Sequence, residues 1–173
     1  MTAAEEVQEL PDGLLRTQVL AAMTCGAPFD RRTRPAHVTA SAVVLDPTAQ
    51  HVLLVRHRKL GLWLHPGGHV DDGDASLAAA ARREAVEETG AADLEQVGGA
   101  LDLHRHPAPC APPGEADHLD VRFVVVADRA AVPVVSDEST DVRWWRVDDL
   151  PAYAVPDLPA LVRKAAQRVS STW

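Results

Sequence analysis

The chain has 173 residues, of which 46% are hydrophobic and 24% charged, and its formal net charge is −8. That length suits one compact domain with extra helices at its ends and leaves little room for a second core. The acidic balance argues against a nucleic-acid polymer or an anionic membrane as partner, and no apolar run reaches the ~18 residues of a membrane span. The N-terminus carries Glu5, Glu6 and Glu9 where an export signal would need positive charge, so the expected location is cytoplasmic. Cys25 and Cys110 are the only cysteines and read as free thiols, because nothing else suggests a secreted disulfide scaffold.

Residues Ala3 to Met23 predict helix, with an apolar stripe of Leu10, Leu14, Leu15, Val19 and Met23 and a break at Pro11. They belong to an N-terminal helical extension, 1–35, expected to pack on the domain or on a second subunit; the chain is expected to be a monomer or homodimer. The core domain is placed at 36–150. Val38 to Leu45, the turn Asp46-Pro47-Thr48 and His51 to Arg56 predict a hairpin. Arg56-His57-Arg58-Lys59 is the densest basic cluster, and Pro66-Gly67-Gly68 breaks regular structure. Asp74-Ala75-Ser76 starts a helix that Gly90 ends.

Leu94 to Leu103 predicts a strand bent near Gly98-Gly99, followed by a proline-rich loop from Pro107 to Gly114. His118 to Val126 alternates, with Leu119, Val121, Phe123 and Val125 on one face and Asp120 and Arg122 on the other. Val142 to Val147 predicts a short strand whose Trp144 and Trp145 point to opposite faces. Asp157 to Val169 predicts a closing helix within a C-terminal segment, 151–173, that packs on the domain. This order of strands and helices implies an α/β sandwich.

The central helix carries Glu84, Glu87 and Glu88, three and four residues apart, so the carboxylates share one face. Like charges at those spacings repel, and carboxylates near a helix C-terminus oppose its dipole. The same stripe continues back through Ala81, Ala80 and Leu77, which a purely solvated face would not contain. Spacing alone leaves a plain surface helix as the commoner reading. A partly enclosed acid cluster instead needs a cation or raised pKa values, and hard oxygen ligands suit Mg²⁺ or Mn²⁺.

The Gly-Gly loop upstream favours the second reading. Gly68, five residues and Asp74, then Arg83-Glu84-Ala85-Val86-Glu87-Glu88-Thr89-Gly90-Ala91, resemble the Nudix box. Two departures stand out: Asp replaces Glu at position 74, and eight residues rather than seven separate the halves. The extra residue is expected at the loop-to-helix junction. Leu54-Val55, Trp63 ahead of Pro66 and an acidic loop before Trp144 extend the similarity over about residues 37 to 150.

The resemblance implies a Nudix-like α/β/α sandwich with a mixed sheet. It also implies a Mg²⁺-dependent (Mn²⁺ possible) pyrophosphohydrolase acting on a small diphosphate substrate: a nucleoside di- or triphosphate or a nucleoside diphosphate derivative. Glu84, Glu87 and Glu88 would be the metal cluster, with the Gly67 carbonyl and Glu138 as further ligands and Asp137 as the alternative to Glu138. Arg83 would steer a carboxylate, and Glu84 or Glu138 would be the general base. Arg56, His57, Arg58, Lys59, His69 and Arg122 are candidates to touch substrate, with Arg122 also able to pair with Asp120. A nucleotide-sensing module without turnover and an isoprenoid-diphosphate relative are the competing readings. His65, His69, His104, His106 and His118 come with no Cys/His cluster of finger spacing, so the histidines are not expected to bind metal.

Overall fold

A computed structural model of the protein describes residues 1–130 and 133–172. Among these residues, eight strands form one mixed sheet. Its centre is β1 (Ala36–Leu45), parallel to β7 (Asp117–Val126) over their full lengths. β1 pairs at its C-terminal end with β2 (His51–His57) and at its N-terminal end with β4 (Gly67–His69), both antiparallel. β2 continues the sheet to β3 (Trp63–Leu64) and β8 (Ser139–Arg146). β7 likewise takes β5 (Glu95–Gln96) at one end and β6 (Asp102–Pro107) at the other.

The expected single strand from Leu94 to Leu103 is therefore two. Gly98 adopts a left-handed φ of 72° and ends the first piece, while Leu101 N–H still donates to the Arg122 carbonyl at 2.7 Å and keeps the segment on the sheet.

Strand alternation sorts the residues into two cores. Val38, Ala40, Ala42 and Val44 of β1 and Leu119, Val121, Phe123 and Val125 of β7 form one face. They pack with Leu77, Ala80, Ala81 and Ala85 of α3 (Leu77–Thr89) and with the terminal helices α1 (Ala3–Gln8) and α2 (Leu14–Met23). Val7 and Val19 are fully buried there, so the N-terminal helices share the domain's own core; Leu14 departs from the expected stripe and faces solvent. Val43, Leu45, Val124 and Val126 face the opposite way, with Leu158, Leu161, Val162, Ala165 and Val169 of α4 (Leu158–Thr172). Trp144 packs on the first core and Trp145 on the second, as their alternation requires.

The second face changes character along its length. Val43 and Leu45 are followed, every second residue toward the start of β1, by Ser41, Thr39 and His37; Val124 and Val126 are likewise preceded by Arg122, Asp120 and His118. All six of these polar residues are buried. Polar groups are not taken out of water at this density without partners, so this end of the sheet is where a site is expected.

Candidate metal centre and substrate cleft

Two devices hold the start of α3. The Ser76 hydroxyl accepts from Ala79 N–H at 3.1 Å. The buried Glu6 carboxylate of α1 accepts from Leu77 N–H at 2.8 Å and Ala78 N–H at 3.1 Å, satisfying amides that the helix itself leaves unpaired. The helix then runs unbroken to Gly90, which closes it with a φ of 69°. The extra residue between the two motif halves thus lies ahead of the helix, and Leu77, Ala81, Glu84 and Glu88 keep one register.

Arg83 organises the cluster. Its Nε and Nη2 donate to Asp74 at 3.1 and 2.9 Å, Nη1 to Glu84 at 2.9 Å and Glu87 at 3.2 Å, and Nη2 to the His69 carbonyl at 2.8 Å. A guanidinium has five N–H donors, and these five bonds account for all of them. Asp74 is therefore the anchor of Arg83, and its carboxyl lies below the ordinary range chiefly because Arg83 hydrogen-bonds it.

Close approach explains the glycines. A Cβ on Gly68 would stand 2.6–2.7 Å from the Glu84 carboxylate, and one on Gly67 would stand 2.2 Å from Ser41 Cβ. With both absent, the carboxylates of α3 settle directly on β4. Gly67 N–H donates to Glu88 Oε2 at 3.3 Å.

The acids are held at a cost. Burial raises the Glu84 pKa, against the opposing pull of Arg83. Burial, with the Glu84 charge next, pushes Glu88 up to about 8. Clustered oxygens that resist ionisation until a cation arrives are what a divalent metal site requires, so the donor set fits Mg²⁺ or Mn²⁺. The Glu138 charge also acts on Glu84, Glu88 and His57, which puts this loop residue within electrostatic reach of the cluster.

The basic residues divide by what they touch. Arg58 is spent on the loop that carries Glu138: its Nε donates to the Asp137 carbonyl and its Nη2 to the Ser139 carbonyl, each at 2.8 Å. Arg56 makes one long bond, 3.5 Å, to the Gly61 carbonyl, and the Lys59 side chain is exposed. Arg122 is buried between carboxylates, donating to Asp120 at 3.2 Å and Asp157 at 2.6 Å. Burial pushes the Asp120 carboxyl up, but His65, Arg122 and Ser41 outweigh it and hold it well below the carboxylate range. Ser41 Oγ donates to Asp120 at 2.6 Å and Thr39 Oγ1 at 3.1 Å.

Thr39, Ser41, Asp120, Arg122 and Asp157 floor a cavity of about 300 Å³, a size at the lower end for small-molecule sites. Leu60, Leu64, Val155 and Pro156 give it apolar walls, and Gly67 and Gly68 are part of its lining, so it adjoins the carboxylate cluster.

The structure brings together a histidine–cysteine group that the sequence reading did not assemble. His37 of β1, His69 of β4, His118 of β7 and Cys110 of the proline-rich loop place one donor atom each within 4.8 Å of one another. Finger-like spacing could not reveal this set, because its members are spread from 37 to 118 and come from four segments. Strand register brings them together: His37 and His118 are paired residues on parallel neighbours, and His69 lies opposite Thr39, two residues along β1.

No curated protein matches the chain in sequence. Among solved structures, a NUDIX family hydrolase from Clostridium perfringens superposes with a TM-score of 0.62 at 18% identity, over 79% of this chain and 98% of that one. A C. elegans Ap4A hydrolase, in a binary complex, gives 0.64 at 20% identity over 78% and 98%. The NUDIX domain of Shewanella oneidensis NrtR, complexed with ADP ribose, gives 0.56 at 24% identity over 83% and 95%. At these identities the superpositions speak for the α/β Nudix fold, a mixed sheet flanked by helices. The NUDIX domain itself matches residues 35–165, and the chain belongs to that family.

Proposed function

We propose that the protein is a divalent-metal-dependent pyrophosphohydrolase that cleaves a diphosphate linkage in a small nucleotide. The observation that carries the reading is the Arg83-braced cluster of Glu84, Glu87 and Glu88 seated on Gly67-Gly68 beside a cavity. Glu84, Glu87 and Glu88, with the Gly67 carbonyl and Glu138, would hold Mg²⁺ or Mn²⁺. Such a cation neutralises phosphate charge and acidifies a bound water.

The chain's own residues supply the positioning. Arg83 fixes Glu84 and Glu87 through charge-assisted bonds, and Asp74 fixes Arg83. Glu84 and Glu138 are the two candidates to accept the proton of the attacking water. Lys59 and Arg56 keep charge available for distal phosphates, whereas Arg58 acts by bracing the Glu138 loop. The apolar walls around Leu60, Leu64 and Val155 suit the base or another non-phosphate group. The Ap4A hydrolase and the ADP-ribose-bound NUDIX domain among the structural neighbours make dinucleoside polyphosphates and nucleoside diphosphate sugars sensible first substrates.

The test is a panel of nucleoside triphosphates, dinucleoside polyphosphates and nucleoside diphosphate sugars with Mg²⁺, then Mn²⁺, reading released phosphate or pyrophosphate. Turnover of one class supports the enzyme. Tight binding of a nucleotide with no cleavage under either metal would replace it with a sensing module.

A further inference from the structure

We propose that His37, His69, His118 and Cys110 form a second metal site, a closed tetrahedral Zn²⁺ site distinct in chemistry from the carboxylate cluster. The four donors converge with the dimensions such a site requires. His37 Nε2 and His69 Nε2 are 3.3 Å apart, and Cys110 Sγ stands 3.7, 3.6 and 3.5 Å from the Nε2 atoms of His37, His69 and His118. Zn–N bonds of about 2.0–2.1 Å and a Zn–S bond of about 2.3 Å give a tetrahedron N–N edges of about 3.4 Å and N–S edges of about 3.6 Å. The one N–N and three N–S separations match those edges, and His118 offers a donor nitrogen within 4.8 Å of the other two imidazoles.

The chemistry of the set points the same way. Three imidazole nitrogens and one sulfur are soft to borderline donors, which favour Zn²⁺ over Mg²⁺ or Ca²⁺. The three Nε2 atoms and the sulfur crowd together at 3.3–3.7 Å in the four measured pairs, an approach that a cation or shared protons would satisfy. The three rings are not stacked as one apolar layer: His118 meets His37 and His69 edge-on, at 72° and 86°, with centroids 4.7 and 5.3 Å away. His37 is fully buried, while Cys110 is exposed and leaves the ion a way in.

The ligands also explain the proline-rich loop. Ala108 N–H donates to the Ala116 carbonyl at 3.0 Å and closes its neck, and Cys110 brings its tip to the sheet. Pro107 and Pro109 line the cavity, so an ion there fixes one wall of the cleft. His69 follows Gly67-Gly68, and its carbonyl receives Arg83, so the same ion steadies the strand on which the carboxylates rest.

The test loads the metal-free full chain with Co²⁺, with Mg²⁺ in excess to occupy the carboxylate cluster, and records the absorption spectrum. One equivalent should bind with the strong visible bands of tetrahedral cobalt and a thiolate-to-metal charge-transfer band. Cys110→Ser, at an exposed position, should remove the charge-transfer band. His118→Ala should weaken Zn²⁺ binding by more than about 100-fold, since even losing a supporting hydrogen bond costs 10–100-fold. Glu84→Gln with Glu88→Gln should leave the spectrum unchanged, which separates this site from the proposed catalytic one. Weak octahedral bands only, a charge-transfer band that survives Cys110→Ser, or loss of the spectrum in the glutamate double variant would each overturn the proposal.

Discussion

The carboxylate cluster on α3 and the histidine–cysteine cluster on the sheet lie on either side of β4 and solve opposite problems. In the first, burial and then like charge raise the pKa values of Glu84 and Glu88, while Arg83 braces Glu84 and Glu87. The second gathers imidazoles that burial favours in their neutral form. Burial drives the His118 pKa down to about 3 and lowers those of His37 and His69, leaving ring nitrogens with lone pairs for a softer ion. The first would suit a hard cation, and the second is the set proposed above for a softer one.

The largest expected effect breaks the comparison on the catalytic side. Glu87→Gln with Glu88→Gln should lower kcat by about 10³-fold, or about 4 kcal/mol of transition-state stabilisation, in a steady-state assay on whichever substrate the panel yields. The Cys110→Ser variant should lose far less, because its thiol contacts none of the carboxylates. Equal losses would mean that the two sites act as one.

The pH dependence of stability should separate them next. Glu88 has a folded pKa of about 8, above its ordinary 4.5, so between those values the folded state binds more protons than the unfolded state. Stability of the metal-free protein should therefore fall as pH rises through that window, by up to about 5 kcal/mol. Glu88→Gln should flatten this limb in denaturant melts. His118 has the reverse sign: its folded pKa of about 3 lies below 6.5, so stability falls as pH drops through that range. An upper limb that persists in Glu88→Gln would place the raised group elsewhere.

Gly68→Ala is a sharper, smaller probe. The added Cβ would displace the Glu84 carboxylate, so metal affinity should fall about 10–100-fold, as when the support of a ligand is lost. The melting temperature should change little. Unchanged Mn²⁺ affinity would mean that Glu84 is not a ligand. The smallest effect is expected at Glu6→Ala, which removes the carboxylate capping α3 and should cost about 0.5–2 kcal/mol of stability, measured by urea melts, with kcat nearly unchanged.

The contrast between the sites also accounts for what the sequence could reveal. The carboxylates on α3 are three and four residues apart on one helix, so helical periodicity brings them together before any tertiary contact is known. Gly90 marks the end of that helix for a local reason, its left-handed φ, and Gly68 stands at a fixed spacing ahead of it. The hairpin of β1 and β2, the alternation of β7 and the closing helix were legible on the same local grounds. The histidine–cysteine site depends on the parallel pairing of β1 with β7, two strands separated by about 70 residues of chain, and on a loop that returns Cys110 to the sheet. Composition and spacing carry no register between distant strands. The use of Arg58 on the Asp137 and Ser139 carbonyls, and of Glu6 as a cap for α3, was hidden for the same reason.

The central claim is that Glu84, Glu87 and Glu88 hold the catalytic cation. Its most direct measurement is a Mn²⁺ titration followed by the electron paramagnetic resonance signal of the free ion, with Zn²⁺ supplied beforehand to occupy the histidine–cysteine set. The wild-type chain should bind Mn²⁺ saturably, and Glu84→Gln with Glu88→Gln should leave the free-ion signal undiminished. Saturable binding of equal strength in the double variant would contradict the account.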